Sequence, residues 1–229
     1  MIGIMFALAT ESLDLRRRLR DLQQDRNFLT GKINDRAITI LHTGVGEKNC
    51  SQRIETLLHK IRPRLVISSG FAGAVDANLQ VGDLILAENF SDKQLLNTAR
   101  QIFGEEKSRT AKLFTSPSII DSIAKRNEIA RASGAAAVDM ETGTIVSICA
   151  AHGVPVLSLR AISDTPTAPF PAPPDVLFDI KRQRINYVRL FVYLLANPAS
   201  IPRLITFGRN INRVRAKLTD AIVTLVRAL

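Results

Sequence analysis

The sequence predicts an α/β fold, a layered sandwich in which helices cover both faces of a β-sheet, followed by a basic helical tail. Three observations predict it. Short apolar runs alternate with longer amphipathic stretches along the first 165 residues. Several of those runs are apolar throughout rather than at every second position, the pattern of strands buried on both faces. Polar or glycine-rich segments recur where the runs stop, and open α/β sheets gather ligands at the carboxyl ends of their strands.

Taken in order, residues 2–8 read as a buried strand ending near Thr10-Glu11, and residues 12–24 as a helix carrying Arg16-Arg17-Arg18. Residues 37–43 form a strand leading into Gly44-Val45-Gly46, and 48–61 a helix. A strand over 64–69 ends at Gly70-Phe71-Ala72-Gly73. Another over 83–87 precedes a polar stretch with no decisive period. Residues 119–133 read as helical, 135–138 as extended and 142–152 as helical; a last strand over 154–162 ends at Ser163-Asp164. Residues 166–174 hold five of the ten prolines and cannot be regular structure, since proline fixes φ and lacks an N–H. They read as a stiff loop or lid, and as the hinge between a body over 1–180 and a tail over 181–229. No internal repeat is visible.

The chain of 229 residues is long enough for one good core, with 46% hydrophobic and 23% charged residues. Cys50 and Cys149 lie in apolar, helix-like contexts and read as reduced core thiols. His42, His59 and His152 form no cluster of metal-binding spacing, so no metal and no cofactor are expected. The apolar start has no basic residues before it and is followed at once by Glu11, which favours a strand over a signal peptide. No apolar stretch reaches the roughly 18 residues of a membrane span. A cytoplasmic protein is expected. The net charge of +10 is uneven: from Lys181 onward ten basic residues face only Asp220, so nine of the ten net charges sit in the tail. Tyr187 and Tyr193 are the only tyrosines and tryptophan is absent. Without a stacking motif, nucleic acid is not an expected partner.

Two segments carry chemistry. Val138-Asp139-Met140-Glu141-Thr142 puts a methionine and a carboxylate where an extended run meets a helix. Arg160-Ala161-Ile162-Ser163-Asp164 puts a serine and a carboxylate at the end of an apolar strand. Paired carboxylates at neighbouring strand ends suit glycosidic cleavage through an oxocarbenium-like centre. A structural reading competes on local grounds: Glu141 favours a helix N-terminus and Asp164 caps a turn.

Together with Gly44-Val45-Gly46, Ser69-Gly70-Phe71-Ala72-Gly73 and Gly82-Asp83, these segments resemble the ordered motifs of the methylthioadenosine/S-adenosylhomocysteine nucleosidases and their purine nucleoside phosphorylase relatives. The resemblance runs from residue 1 to about 165. It implies a three-layer sandwich with a central mixed, twisted sheet, commonly a homodimer, acting on a small-molecule nucleoside. It further implies that Asp164 protonates N7 of a purine with Ser163 orienting its carboxyl, and that Glu141 binds the ribose hydroxyls beside Met140. Arg160 would orient Glu141, and Glu11 would activate the attacking water. Gly46, Ser69, Gly70 and Phe71 complete the implied substrate-binding set. Phe71 stands where both nucleosidases and phosphorylases carry a serine. The arginine-bearing anion segments of the phosphorylases are absent, so water is the expected nucleophile, with phosphate the alternative co-substrate. A binding protein that keeps the fold without catalysis is the rival from another class.

Within that superfamily, Thr115-Ser116-Pro117-Ser118, the run from Ala135 to Glu141, residues 197–205 and Gly208-Arg209-Asn210 resemble the hopanoid-associated phosphorylases. That resemblance implies release of adenine from adenosylhopane. Methylthioadenosine/S-adenosylhomocysteine or futalosine-type nucleosidases are the enzymatic alternative. In the tail, Leu204, Phe207, Ile211, Val214, Leu218, Ile222, Leu225 and Leu229 recur at helical steps among arginines. Two readings stand: residues 200–229 contact an anionic membrane on its inner face, or the helix packs on the body or a partner subunit.

Overall fold

The computed structural model describes the chain except residues 26, 27, 46, 180–183 and 186. The elements run in the order β1 (Ile2–Phe6), α1 (Leu13–Arg18), β2 (Arg20–Gln24), β3 (Leu29–Ile33), β4 (Arg36–His42), α2 (Glu47–Ile61), β5 (Leu65–Ala74) and β6 (Leu84–Ala87). There follow α3 (Lys93–Lys107), β7 (Arg109–Ala111), β8 (Leu113–Thr115), α4 (Ile123–Ser133), β9 (Ala137–Asp139), α5 (Thr142–Ala151) and β10 (Val156–Asp164). The chain closes with α6 (Pro174–Leu177), the short pair β11 (Phe178–Asp179) and β12 (Arg184–Ile185), α7 (Tyr187–Ala196) and α8 (Ile201–Ala228).

Among the described residues ten strands form one mixed sheet, ordered β2-β3-β4-β1-β5-β10-β6-β7, with β9 on the far end of β5 and β8 beside it. The centre is parallel: β1 pairs with β4 and β5, and β5 with β10. Every residue of β1 and β10 is buried, which explains why their sequences do not alternate. The pleat still sorts side chains. Ile2, Ile4 and Phe6 join Leu15 of α1, Leu96 and Phe103 of α3, and Val214, Leu218 and Ile222 of α8 in one layer. Met5, Val66 and Val156 join Ile54 and Leu57 of α2 and Ile145 of α5 in the other. The sheet is covered on both faces.

Three local readings change. The helix expected over 12–24 stops at Arg18, and Arg20–Gln24 forms the exposed edge strand β2, antiparallel to β3. The ladder offered by β3 overrides helix propensity there. The glycine segment expected as a turn after residue 69 continues β5 instead: Gly70 pairs with Arg160, Gly73 with Asp164, and Ala74 with Ala137. The unassigned polar stretch contains α3, capped by Asp92, whose side chain accepts from the N–H groups of Gln94 and Leu95.

The tail is divided. The outer half of α8 exposes Ile201 and Ile205, whereas Val214, Leu218, Ile222, Leu225 and Val226 are buried in the core. Arg215 on α8 bonds Asp14 of α1 at 2.8 Å, and Arg18 reaches Asp220 at 3.2 Å.

Candidate active site

The parallel strands β1, β5 and β10 end side by side, and the predicted carboxylates collect there. Glu11 lies in the loop after β1 and is buried. Its Oε2 accepts from the Leu8 N–H at 2.8 Å and its Oε1 from the Phe71 N–H at 2.9 Å. Gly70 makes this approach possible: a Cβ there would lie 2.8 Å from Glu11 Oε1, and its φ of +147° disfavours any other residue. Burial raises the pKa of Glu11 above the ordinary carboxylate range, although the two N–H donors and the Arg160 charge oppose this.

Glu141 precedes α5 and is 8% exposed. Burial, then the neighbouring charges of Asp139 and Glu11, push its pKa up to about 8. Arg160, the residue expected to orient Glu141, bonds its neighbours instead. Arg160 Nε donates to Asp139 Oδ2 at 3.0 Å, and Nη2 to Ser68 Oγ at 2.9 Å and Thr142 Oγ1 at 2.6 Å. Glu141 feels Arg160 as a charge only. The Asp139 carboxylate is saturated: Thr115 Oγ1 donates to Oδ1 at 2.9 Å, and the Thr142 hydroxyl and N–H both donate to Oδ2. It therefore holds Arg160 and the start of α5 in place. Arg160 Nη1 is buried and meets no partner among the described residues.

Asp164 ends β10 at 1% exposure, just past a register shift that breaks the β10–β5 ladder at Ser163. Ser163 Oγ donates to Asp164 Oδ1 at 2.7 Å. The other oxygen, Oδ2, receives Nη2 of Arg126, whose Nη1 also donates to the Ala74 carbonyl at 2.6 Å. Arg126 is 1% exposed, on α4. Nothing local in the sequence marks it, because it stands in the charged run Lys125-Arg126-Asn127-Glu128 like its solvated neighbours. Gly73 gives this pair its room, since a Cβ there would lie 3.0 Å from Asp164 Oδ2.

Met140 is half-buried beside Glu141. Ser69 and Phe71 lie on one face of β5. They alternate with Ser68 and Gly70, and the Phe71 ring packs on the layer beneath α3 and α8, so Phe71 offers Glu11 its N–H and not its side chain. Ser69 Oγ is buried without a partner among the described residues. Gly46 lies outside the described residues. Ser12 Oγ and His42 Nε2 stand 2.7 Å apart beside the cleft, and burial lowers the pKa of His42 to about 4. Burial pushes Cys50 and Cys149 up to about 12, leaving both protonated. Away from the cleft, Glu55 of α2 meets His152 at 2.8 Å and His59 at 3.7 Å, a grouping that sequence spacing does not reveal.

The family model of the phosphorylase superfamily matches residues 2–113 and 88–195. The chain belongs to the phosphorylase superfamily. A 5′-methylthioadenosine/S-adenosylhomocysteine nucleosidase of Staphylococcus aureus is 29% identical over 197 residues, covering 72% of this chain and 86% of the relative. The S-adenosylhomocysteine nucleosidase of Streptococcus pyogenes, solved with 5-methylthiotubericidin, superposes with a TM-score of 0.76 at 20% identity, covering 100% of this chain and 96% of that one. The futalosine hydrolase of Helicobacter pylori gives 0.73 at 16% identity, covering 100% and 97%. The mixed, twisted sheet of this superfamily member is therefore the fold of nucleosidases.

Proposed function

We propose that this phosphorylase-superfamily enzyme hydrolyses the N-glycosidic bond of a purine nucleoside, releasing adenine from a 5′-substituted adenosine whose substituent is lipidic, as in adenosylhopane. The observation that carries the reading is the burial of Glu11, Glu141 and Asp164 just past the ends of β1, β9 and β10, strands joined through β5, with the Glu11 charge acting on Glu141. Asp164, held as a carboxylate by Arg126 and Ser163, relays a proton taken from solvent water to N7 as the C1′–N9 bond breaks and the base leaves. Glu11 takes a proton from the water whose oxygen bonds C1′; its raised pKa brings it closer to neutral pH, where a general base works best. Glu141 hydrogen-bonds the ribose hydroxyls beside Met140, and the positive charge that develops at C1′ favours loss of its proton, so that the resulting carboxylate offsets the oxocarbenium character. Asp139 and Arg160 act by position, fixing the start of α5 on which Glu141 rides.

A second reading, a methylthioadenosine/S-adenosylhomocysteine nucleosidase, draws on the 29% identity to the staphylococcal enzyme. A homodimer located in the cytoplasm, on the inner face of the membrane, accompanies the first reading. Base release from adenosine, methylthioadenosine, S-adenosylhomocysteine, inosine, futalosine and a 5′-alkyl-adenosine, with and without phosphate, tests them. The lipidic reading expects phosphate-independent adenine release, fastest for the alkyl compound. Strict phosphate dependence overturns water as the nucleophile, and fastest release from methylthioadenosine selects the second reading.

A further inference from the structure

The segment that follows the proline-rich loop is built unlike the rest of the molecule. On α7, Val188 is 75% exposed, Leu195 69%, Phe191 63% and Val192 59%. These positions are spaced i, i+3, i+4 and i+7, so they form one continuous face. A turn over Pro198–Ser200 then bends the chain, and the two helical stretches meet at 111°. Past the bend, Ile201 and Ile205 on α8 extend the exposed apolar surface before the same helix enters the core at Val214. A patch of this kind on a folded chain marks a docking surface.

Charge says what docks. No Asp or Glu occurs between Asp179 and Asp220, and Arg189, Arg203, Arg209 and Arg213 are exposed around the apolar residues. A two-fold contact between copies sets the same patch against itself, and a patch with cations and no carboxylate would then oppose like charges. An anionic surface meets no such penalty. Because the far half of α8 is fixed in the core, and no single described helix is long and apolar enough to cross a bilayer, the elbow would lie in the plane of the membrane. It is also tied to the cleft: Phe207 of α8 packs edge-on against Phe170, six residues beyond Asp164, with ring centroids 5.8 Å apart.

We infer that the elbow of α7 and the outer half of α8 docks on an anionic lipid bilayer. This deepens the lipidic-substrate reading by bringing the segment after Asp164 to the membrane, but rests on exposure and charge, not on the identity of the nucleoside. The test is co-sedimentation of the full chain with vesicles of phosphatidylcholine alone and of phosphatidylcholine with phosphatidylglycerol. Binding roughly a hundredfold tighter to the anionic vesicles is expected, weakening with salt. Phe191→Ser, Val192→Ser and Leu195→Ser together should abolish it while leaving base release from soluble methylthioadenosine unchanged. Arg203→Gln with Arg209→Gln should remove the preference for anionic lipid. The inference is overturned if the full chain binds neither vesicle, or if the triple variant binds as well as the parent. It is also overturned if light scattering finds a dimer that the triple variant splits without any change in vesicle binding. Vesicle binding by a chain that cleaves no nucleoside would sink the proposed function and leave the docking surface standing; cleavage without vesicle binding would do the reverse.

Discussion

Arg126 faces one carboxylate, whereas Arg160 stands among three. On the base side of the proposed cleft, Arg126 and Asp164 form a one-to-one buried pair whose remaining bonds go to Ala74 and Ser163. On the ribose side, Arg160 spends its bonds on Asp139, and Glu11 and Glu141 are left to share a buried space with no cation of their own. The first arrangement is neutral and closed. The second carries excess negative charge, which the protein tolerates by holding protons on carboxyl groups above their ordinary range. The ribose side is thus the one that a developing positive charge would relieve, and it is the side where C1′ acquires such charge in the proposed reaction.

The largest effects should come from breaking the closed pair. Asp164→Asn keeps the shape but removes the proton donor, and base release should fall by about 10²–10⁴-fold, the usual worth of general acid catalysis. Unchanged turnover in a single-turnover assay would remove Asp164 from the mechanism. Arg126→Met leaves the Asp164 charge and the Ala74 carbonyl without their partner at 1% exposure, so unfolding free energy should drop by about 3–5 kcal/mol. Denaturant titration measures it. A midpoint equal to that of the parent would show that water or another group takes over from Arg126.

The open cluster should respond in the opposite sense. The folded state holds the Glu141 proton up to a pH of about 8, while the unfolded chain releases it near 4.5. Between those values the folded state binds more protons than the unfolded one, so stability falls as pH rises and levels off above 8. The loss attributable to this one buried group is on the order of 5 kcal/mol. Glu141→Gln removes the group that must ionise, so the variant should melt higher than the parent at pH 8 and equal it at pH 4.5, although its base release falls. Parallel melting curves across that range would show that the excess charge is not carried by Glu141.

Much of this contrast is legible in the sequence, but only one half of each cluster. Glu11, Glu141 and Asp164 stand at junctions where an apolar run gives way to a polar turn, and the strand-end rule singles them out without any contact being known. Arg126 has no such signal: a buried arginine in Lys125-Arg126-Asn127-Glu128 reads like its solvated neighbours until the fold brings Asp164 to it. Asp139 lies in a visible motif, but its role depends on Thr115 and Arg160, which reach it from β8 and β10. The continuation of β5 through the glycines is not legible locally, because strand pairing with β10 and β9 is a tertiary event that turn propensity cannot anticipate. For the same reason β2 reads as helix when its partner strand is unknown.

The glycines themselves offer the smallest test. Gly70 reads as a turn residue, yet it sits within β5 because Glu11 needs the space that a Cβ would fill. Gly70→Ala puts a methyl 2.8 Å from Glu11 Oε1 at a φ of +147°, so either the carboxylate or the strand must give way. Strained backbone of this kind costs about 1–3 kcal/mol, less than the loss of the Arg126 pair. The more telling readout is kinetic. If the Phe71 N–H and the Gly70 gap together aim Glu11 at the attacking water, Gly70→Ala should lower kcat with KM nearly unchanged. A rise in KM alone would instead make Gly70 a wall of the nucleoside pocket, and would move the water-activating role away from Glu11.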